Sequence, residues 1–324
     1  MKRIFNCAIT NQIELLYAKT SLKNFLKSYT TPDAHFLEFA VMELGTNLIK
    51  YASGGELWFL LINEKLSLAS VDFGVGADDI DTIVQRGYSS STQESLGLGL
   101  YSLVSHDSYV LEIASFSKQN SSSITGSVFV LYEKNLEQSS FCSMSLPLYD
   151  AMYNGDFLVQ KGKYVFFGDV AGHGKKAFLS ASEIIKHFFE SSIGEGQVDA
   201  YFQKLHTFII ENSLRSVVGA LVECNKDFWR IYGVGNISLA MKQKNDCTLN
   251  AFAQGIVGET FNHVSSFELF KEQNMMLILM TDGIDAKKAI EVVQRFGNLS
   301  KESLAIAITH FAGVHDDKTV ALFI

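Results

Sequence analysis

The 324-residue sequence predicts an α+β chain built as two layered sandwiches in series. Three observations carry this. The length suffices for two cores of ordinary size. Apolar runs of strand length alternate with helix-period stretches, but without the regular strand–helix–strand rhythm of a doubly wound sheet. The polar segment EKNLEQSS at 133–140 interrupts the pattern, and a fresh series of strands begins near Phe141. The expected division is a first domain over 1–134, a linker over 135–141 and a second domain over 142–324. Hydrophobic residues make up 47% and charged residues 19%, a globular composition.

Along the chain, TTPDAHFLEFAVMELGTNLIKYA predicts a helix with Thr31 as N-cap and Pro32 at its first position. At 3.6 residues per turn, Phe36, Ala40, Glu43, Asn47 and Tyr51 share one face. A carboxylate and an amide within an apolar stripe cost free energy unless partnered. They are either a hydrogen-bonded pair between helices or cation and proton chemistry facing a pocket. LSLASVDFGVG then runs from a strand into Asp72, Gly74 and Gly76, which suits a turn, or an aspartate accepting from an exocyclic amine beside backbone that a flat ring can approach. GYSSSTQESLGLGLYSLVSHD is a polar loop with Gly97 and Gly99 opening an apolar helix, and amides so exposed can receive an anion. YVLEIASFS and SVFVLYE read as a hairpin joined by SSSITG at 121–126. In the second half, YNGDFLVQKG and KYVFFGDV are strands, roughly 176–191 and 197–213 are helices, and MMLILM at 275–280 is a buried strand.

The net charge of −8 argues against nucleic acid as the main partner, because phosphate backbones require clustered Lys and Arg. No apolar run approaches the length of a membrane span. The four cysteines, Cys7, Cys142, Cys224 and Cys247, lie far apart without a CxxC, which suggests reduced core residues in a cytoplasmic protein. The histidines lack the spacing of a structural zinc site.

The ordered set ELGTN, VDFGVG, QRGYSSS and LGLGL, over roughly residues 5–133, resembles the GHKL ATP-binding domain in the form of the small bacterial serine kinases of the RsbT and RsbW type. The resemblance implies a GHKL (Bergerat) α/β sandwich that binds ATP with Mg²⁺. Asn47 would hold the ion, and Glu43 would be general base towards a substrate hydroxyl. Asp72 would read adenine beside Gly74 and Gly76, and Gly97 and Gly99 would hold the lid next to the phosphates. The acceptor in that family is a Ser or Thr on a STAS-domain protein. The lid departs from the pattern: Glu94 and Ser95 stand where these kinases tend to carry glycine.

The second half repeats one device, a carboxylate at the end of a strand. Asp156 lies in NGD, Asp169 in GDVAGHG, Asp282 in TDG, and Asp316 and Asp317 in DDKT. Each alone is an ordinary turn or strand start, and His173 between two glycines is an ordinary loop histidine. Clustered carboxylates repel unless a cation neutralises them, and oxygen-only ligands favour Mg²⁺ or Mn²⁺. Two such ions ~4 Å apart activate water against a phosphoester, and small residues in GDVAGHG would let a phosphoprotein approach. In this order and spacing, over about 142–324, the motifs resemble the metal-dependent PPM serine/threonine phosphatases in their SpoIIE and RsbX branch. That resemblance implies an αββα sandwich binding two Mn²⁺ or Mg²⁺. Asp156 and Asp169 would bridge or flank the ions with the Val170 carbonyl, Asp282 and Asp316 would complete one shell, and Asp317 would be a neighbour. GVGN at 233–236 is left without chemistry.

Taken together, the chain is expected to phosphorylate and dephosphorylate a STAS-type regulator in a partner switch, with no nucleic acid or membrane partner and a homodimer left open. Two alternatives stand: a phosphatase whose first domain only senses ATP or a partner, and an anti-sigma-like module that sequesters its partner. Glu43 beside Asn47 favours the kinase, since a pure sensor needs no base.

Overall fold

Helix formation around the ELGTN motif starts from an aspartate. The side chain of Asp33 accepts from the Phe36 amide at 2.9 Å, satisfying one of the unpaired donors of the first turn. Thr31, expected as the cap, instead hydrogen-bonds through its hydroxyl to that of Tyr109. The computed structural model describes residues 1–87, 98–118, 122–137, 139–148, 153–194, 196–244 and 246–324. Among them it divides into two units, Met1–Ser139 with Asn298–Phe311, and Ser140–Gly297 with Ala312–Ile324.

The first unit has β1 (Lys2–Ile9), α1 (Gln12–Phe25), α2 (Ala34–Tyr51), β2 (Gly55–Ile62), β3 (Lys65–Asp72), α3 (Ile80–Ile83), α4 (Gly99–Val104), β4 (Tyr109–Phe116) and β5 (Gly126–Glu133). The strands form one antiparallel sheet in the order β1-β2-β3-β5-β4. One sheet face, carrying Leu57, Phe59, Leu66, Leu68, Phe129 and Leu131, packs with Leu37, Ala40, Val41 and Leu44 of α2 and Leu15, Ala18 and Leu22 of α1. These helix positions recur at three and four, so one stripe of each helix meets the alternate residues of the strands.

The second unit has β6 (Phe141–Leu146), β7 (Asp156–Lys161), β8 (Tyr164–Val170), α5 (Gly174–Glu190), α6 (Val198–Glu211), β9 (Val217–Cys224), β10 (Phe228–Val234), β11 (Ser238–Gln243), β12 (Asp246–Ala251), β13 (Ser265–Phe270), β14 (Met275–Met280), α7 (Ala286–Phe296) and, after α8 (Lys301–Phe311), β15 (Lys318–Phe323). Two five-stranded antiparallel sheets result, β13-β10-β9-β8-β7 and β12-β11-β14-β15-β6. Val165, Phe167, Ala220, Val222 and Ile231 of one sheet meet Leu239, Leu277, Leu279, Ala321 and Phe323 of the other. On the outer face of the first sheet, Phe166, Leu221 and Tyr232 pack with Ala181, Ile184 and Phe188 of α5 and Phe202, Leu205 and Ile209 of α6. Helix α7 lies against β11 and β12.

Helix α8 (Lys301–Phe311) packs with the first unit although its flanks belong to the second. It lies on the sheet face opposite α1 and α2, where the His310 ring meets Trp58 and Phe311 meets Phe116 edge-on at 5.2 Å. Just before the helix, the Ser300 amide donates to Glu112 at 2.9 Å. All eleven residues of α8 are buried, and so is every residue of β5, as expected of a strand covered on both faces. Among the described residues no helix is long and apolar enough to cross a membrane. None of the cysteines is in a disulfide; Cys142 is buried, while Cys7, Cys224 and Cys247 are half-buried rather than core.

Candidate functional site

The first unit holds a cavity of about 390 Å³ lined by Glu43, Asn47, Asp72, Gly76, Gly99 and neighbouring residues, within the size range of small-molecule sites. Helix α2 supplies Glu43 and Asn47 from one face, the end of β3 supplies Asp72, and the start of α4 supplies Gly99. Gly99 lies close to Glu43: a Cβ there would stand 1.9 Å from a Glu43 carboxylate oxygen, so a larger residue would push that side chain aside. Burial raises the Glu43 pKa, with Lys50 pulling weakly the other way. Burial also raises that of Asp72, against hydrogen bonds from Gly74 and Ser127. The Gly74 amide donates to Asp72 at 2.7 Å, so this carboxylate shapes its own turn as well as lining the cavity. Gly76 adopts φ +67°, and a Cβ on it would stand 2.0 Å from the Phe116 carbonyl, so only glycine lets the loop press against the end of β4. Gly97, with Glu94 and Ser95, lies outside the described residues.

In the second unit the strand-end carboxylates gather at one end of the two sheets. Asp156 and Asp169 are directly opposite in the β7–β8 ladder, so they project from the same face, an unfavourable placement for like charges. Asp156 is 7% exposed. Both carboxyls are held well above their ordinary range. For Asp156 the cause is burial, with Asp317 and Asp282 adding to it and bonds from Thr281 and Thr319 opposing it. For Asp169 it is burial, then Asp156, Asp282 and Asp316. A Cβ on Gly155 would lie 3.2 Å from the Val170 carbonyl oxygen, which brings that carbonyl beside the pair.

Neighbours fix each acid. Thr281 donates its hydroxyl to Asp156 at 2.8 Å and receives the Thr319 amide at 2.9 Å, tying the two sheets together at this end. Asn236 Nδ2 donates to Asp282 at 2.9 Å. Asp317 accepts the amides of Leu148 and Gly155 at 2.7 and 2.8 Å, and its own amide donates to Asp316 at 2.8 Å. Asp317 thus organises the loops around Asp156. Asn236, Thr281 and Thr319 were not singled out from sequence; GVGN did point at Asn236, but its partner is 46 positions away. His173 is the extended residue preceding α5, without a side-chain cap bond.

The donor set fits hard divalent cations: oxygen ligands only, with buried like charges that need neutralising. Among the described residues no three His, Cys, Asp or Glu groups are gathered closely enough to hold a single ion, while the crowding of Asp156 against Asp169 follows from strand register.

No family model matches the chain, and no curated protein does. Among solved structures it is similar to the catalytic domain of the serine/threonine phosphatase PstP in complex with two manganese ions, at 12% identity and a TM-score of 0.46, over 56% of this chain and 96% of that one. It is similar to the PP2C domain of SiaA from Pseudomonas aeruginosa at 17% and 0.46, over 57% and 85%. It is similar to RsbX in complex with magnesium at 14% and 0.44, over 57% and 96%. With TM-scores below 0.5, these likenesses carry no weight for the chemistry, which rests on the residues themselves.

Proposed function

We propose that the chain is a metal-dependent protein serine/threonine phosphatase of the PPM type, joined to an ATP-binding, GHKL-type serine kinase domain. Its two activities would act on one STAS-type phosphoprotein. The observation that carries the phosphatase is the Asp156–Asp169 cross-strand pair, Asp156 buried and Asp169 half-buried, with Asp282, Asp316 and Asp317 around it. Such a cluster is stable in its ionised form only around cations. Two divalent ions bound there would supply charge neutralisation and an activated water. The residues that would hold them are Asp156, Asp169 and the Val170 carbonyl, Asp282, whose carboxylate accepts from Asn236, and Asp316, which accepts from the Asp317 amide. The short side chains of GDVAGHG leave a phosphorylated side chain room to approach.

In the first unit, Glu43 suits a general base, because desolvation raises its proton affinity towards the working range. Asn47, one helical turn on, suits the Mg²⁺ of the triphosphate, Asp72 suits the adenine amine, and Gly97 and Gly99 suit the phosphates. Glu43 beside Asn47 favours the kinase over a sensor, since a sensor needs no base, and the close approach of Gly99 sets that carboxylate at the start of α4. The test is to follow phosphate on and off a STAS protein. Release should require Mn²⁺ or Mg²⁺ and vanish in Asp169→Asn; full release in excess chelator would overturn the metal-dependent phosphatase.

A further inference from the structure

The segment from His310 to Asp317 runs from the first unit into the second. At its start, the His310 Nε2–H donates to the Asp72 carbonyl at 2.8 Å; a carbonyl only accepts, so this nitrogen carries the proton. The same ring stacks on Phe73 with centroids 4.1 Å apart. Asp72 lines the cavity, and the loop after it is held within the first unit: the Ala77 amide donates to Ser115 at 2.7 Å and the Lys118 amide to Val75 at 3.1 Å.

Six residues after His310 comes Asp316. The intervening chain is laced to the TDGID loop within the second unit. Ala312 accepts the Asp285 amide at 2.8 Å, and the Val314 amide donates to Gly283 at 2.9 Å. Gly313 bridges Ile284. A Cβ on Gly283 would stand 1.9 Å from the Asp317 carbonyl, so the two loops have no slack between them.

We propose that occupancy of the Asp72 cavity by an adenine nucleotide is linked to the order of the carboxylate loops at Asp282, Asp316 and Asp317, with His310 as the positioning residue that joins them. This rests on the nucleotide reading of the cavity. A ligand that braces Asp72 in the cavity wall favours the His310 hydrogen bond to its carbonyl, and thereby one arrangement of the short strap that carries Asp316 and Asp317. Linkage of this kind is reciprocal, so metal at the carboxylates favours nucleotide in turn.

Hydrogen exchange on the full chain tests it, with Mg²⁺ in both arms and the non-hydrolysable ATP analogue AMPPNP in one. Amides at 70–79 should slow, and those at 312–317 should slow by about fivefold or more. His310→Leu should keep the first effect and lose the second. His310→Gln, whose amide can still donate to Asp72, should recover it. Slowing at 70–79 with 312–317 unchanged in the wild type would overturn the linkage and leave nucleotide binding standing. No change at either segment would overturn both. Persistence of the 312–317 effect in a folded His310→Leu would remove His310 from the route.

Discussion

Under the proposed metal reading, Asp282 is only as well placed as the group that turns it, and that group is Asn236. Outer partners of metal ligands typically govern ~10–100-fold in affinity. Asn236→Ala should therefore raise the Mn²⁺ needed for half-maximal phosphatase activity by about that factor, with the maximal rate recovered at saturating metal. A Mn²⁺ titration of the rate checks this, and an unchanged midpoint would make the bond incidental. Glu43 gives a pH prediction. Burial raises its folded pKa above the unfolded value. Its contribution to stability is thus fully present below the unfolded pKa and is lost as pH rises through the raised folded one. Glu43→Gln should melt above the wild type at neutral pH and converge with it in acid, read by thermal unfolding between about pH 4 and pH 8. The same variant should lose phosphotransfer by ~10²–10⁴-fold. Both carboxylates were legible in the sequence because each stands against its local pattern, Glu43 in an apolar stripe and Asp282 behind an apolar strand. Their partners were not: Asn236 and Asp282 are 46 positions apart, Thr281 and Asp156 are 125, and spacing in one sequence does not report such pairs.

At the scale of elements, the strands and the helices α2, α5 and α6 could be read from the chain, while α7 and α8 were not. KESLAIAITHF is apolar nearly all round, which signals burial without naming the neighbour. A matching signal lay in β5, whose near-continuous apolar run SVFVLY already asks for cover on both faces. The start of α2 was misjudged for a local reason: Thr31 and Asp33 both cap well, and Asp33 reaches the Phe36 amide. The packing of α8 has a measurable consequence. Leu304, Ile306 and Ile308 are fully buried, and each such side chain contributes about 1.5–3 kcal/mol. A fragment of residues 1–139 should bind a hydrophobic dye and melt lower than the same fragment with residues 298–311 appended through a flexible linker. Equal melting of the two fragments would mean that α8 is a passive cover.

At the scale of the whole molecule, the proposed function puts a base for a hydroxyl and a carboxylate cluster for a phosphoester on one chain. If they share one substrate side chain, their fluxes oppose, and the phosphorylation level of the partner is set by the ratio of the two rates. The chemistry of each site can be removed by one substitution, because Glu43 and Asp169 lie in separate units. With ATP, Mg²⁺ and Mn²⁺ present, Asp169→Asn should drive a STAS partner to full phosphorylation. Glu43→Ala should hold a pre-phosphorylated partner at none, and the wild type should settle between the two from either starting state while consuming ATP. The approach from both directions is what identifies a true steady state, and mass spectrometry of the partner over time records it. Were Asp169→Asn to leave the partner unphosphorylated while still binding nucleotide, the first unit would be a sensor rather than a kinase. Were the two variants to act on different side chains, both activities would stand, but the chain would carry two signals instead of setting the balance of one.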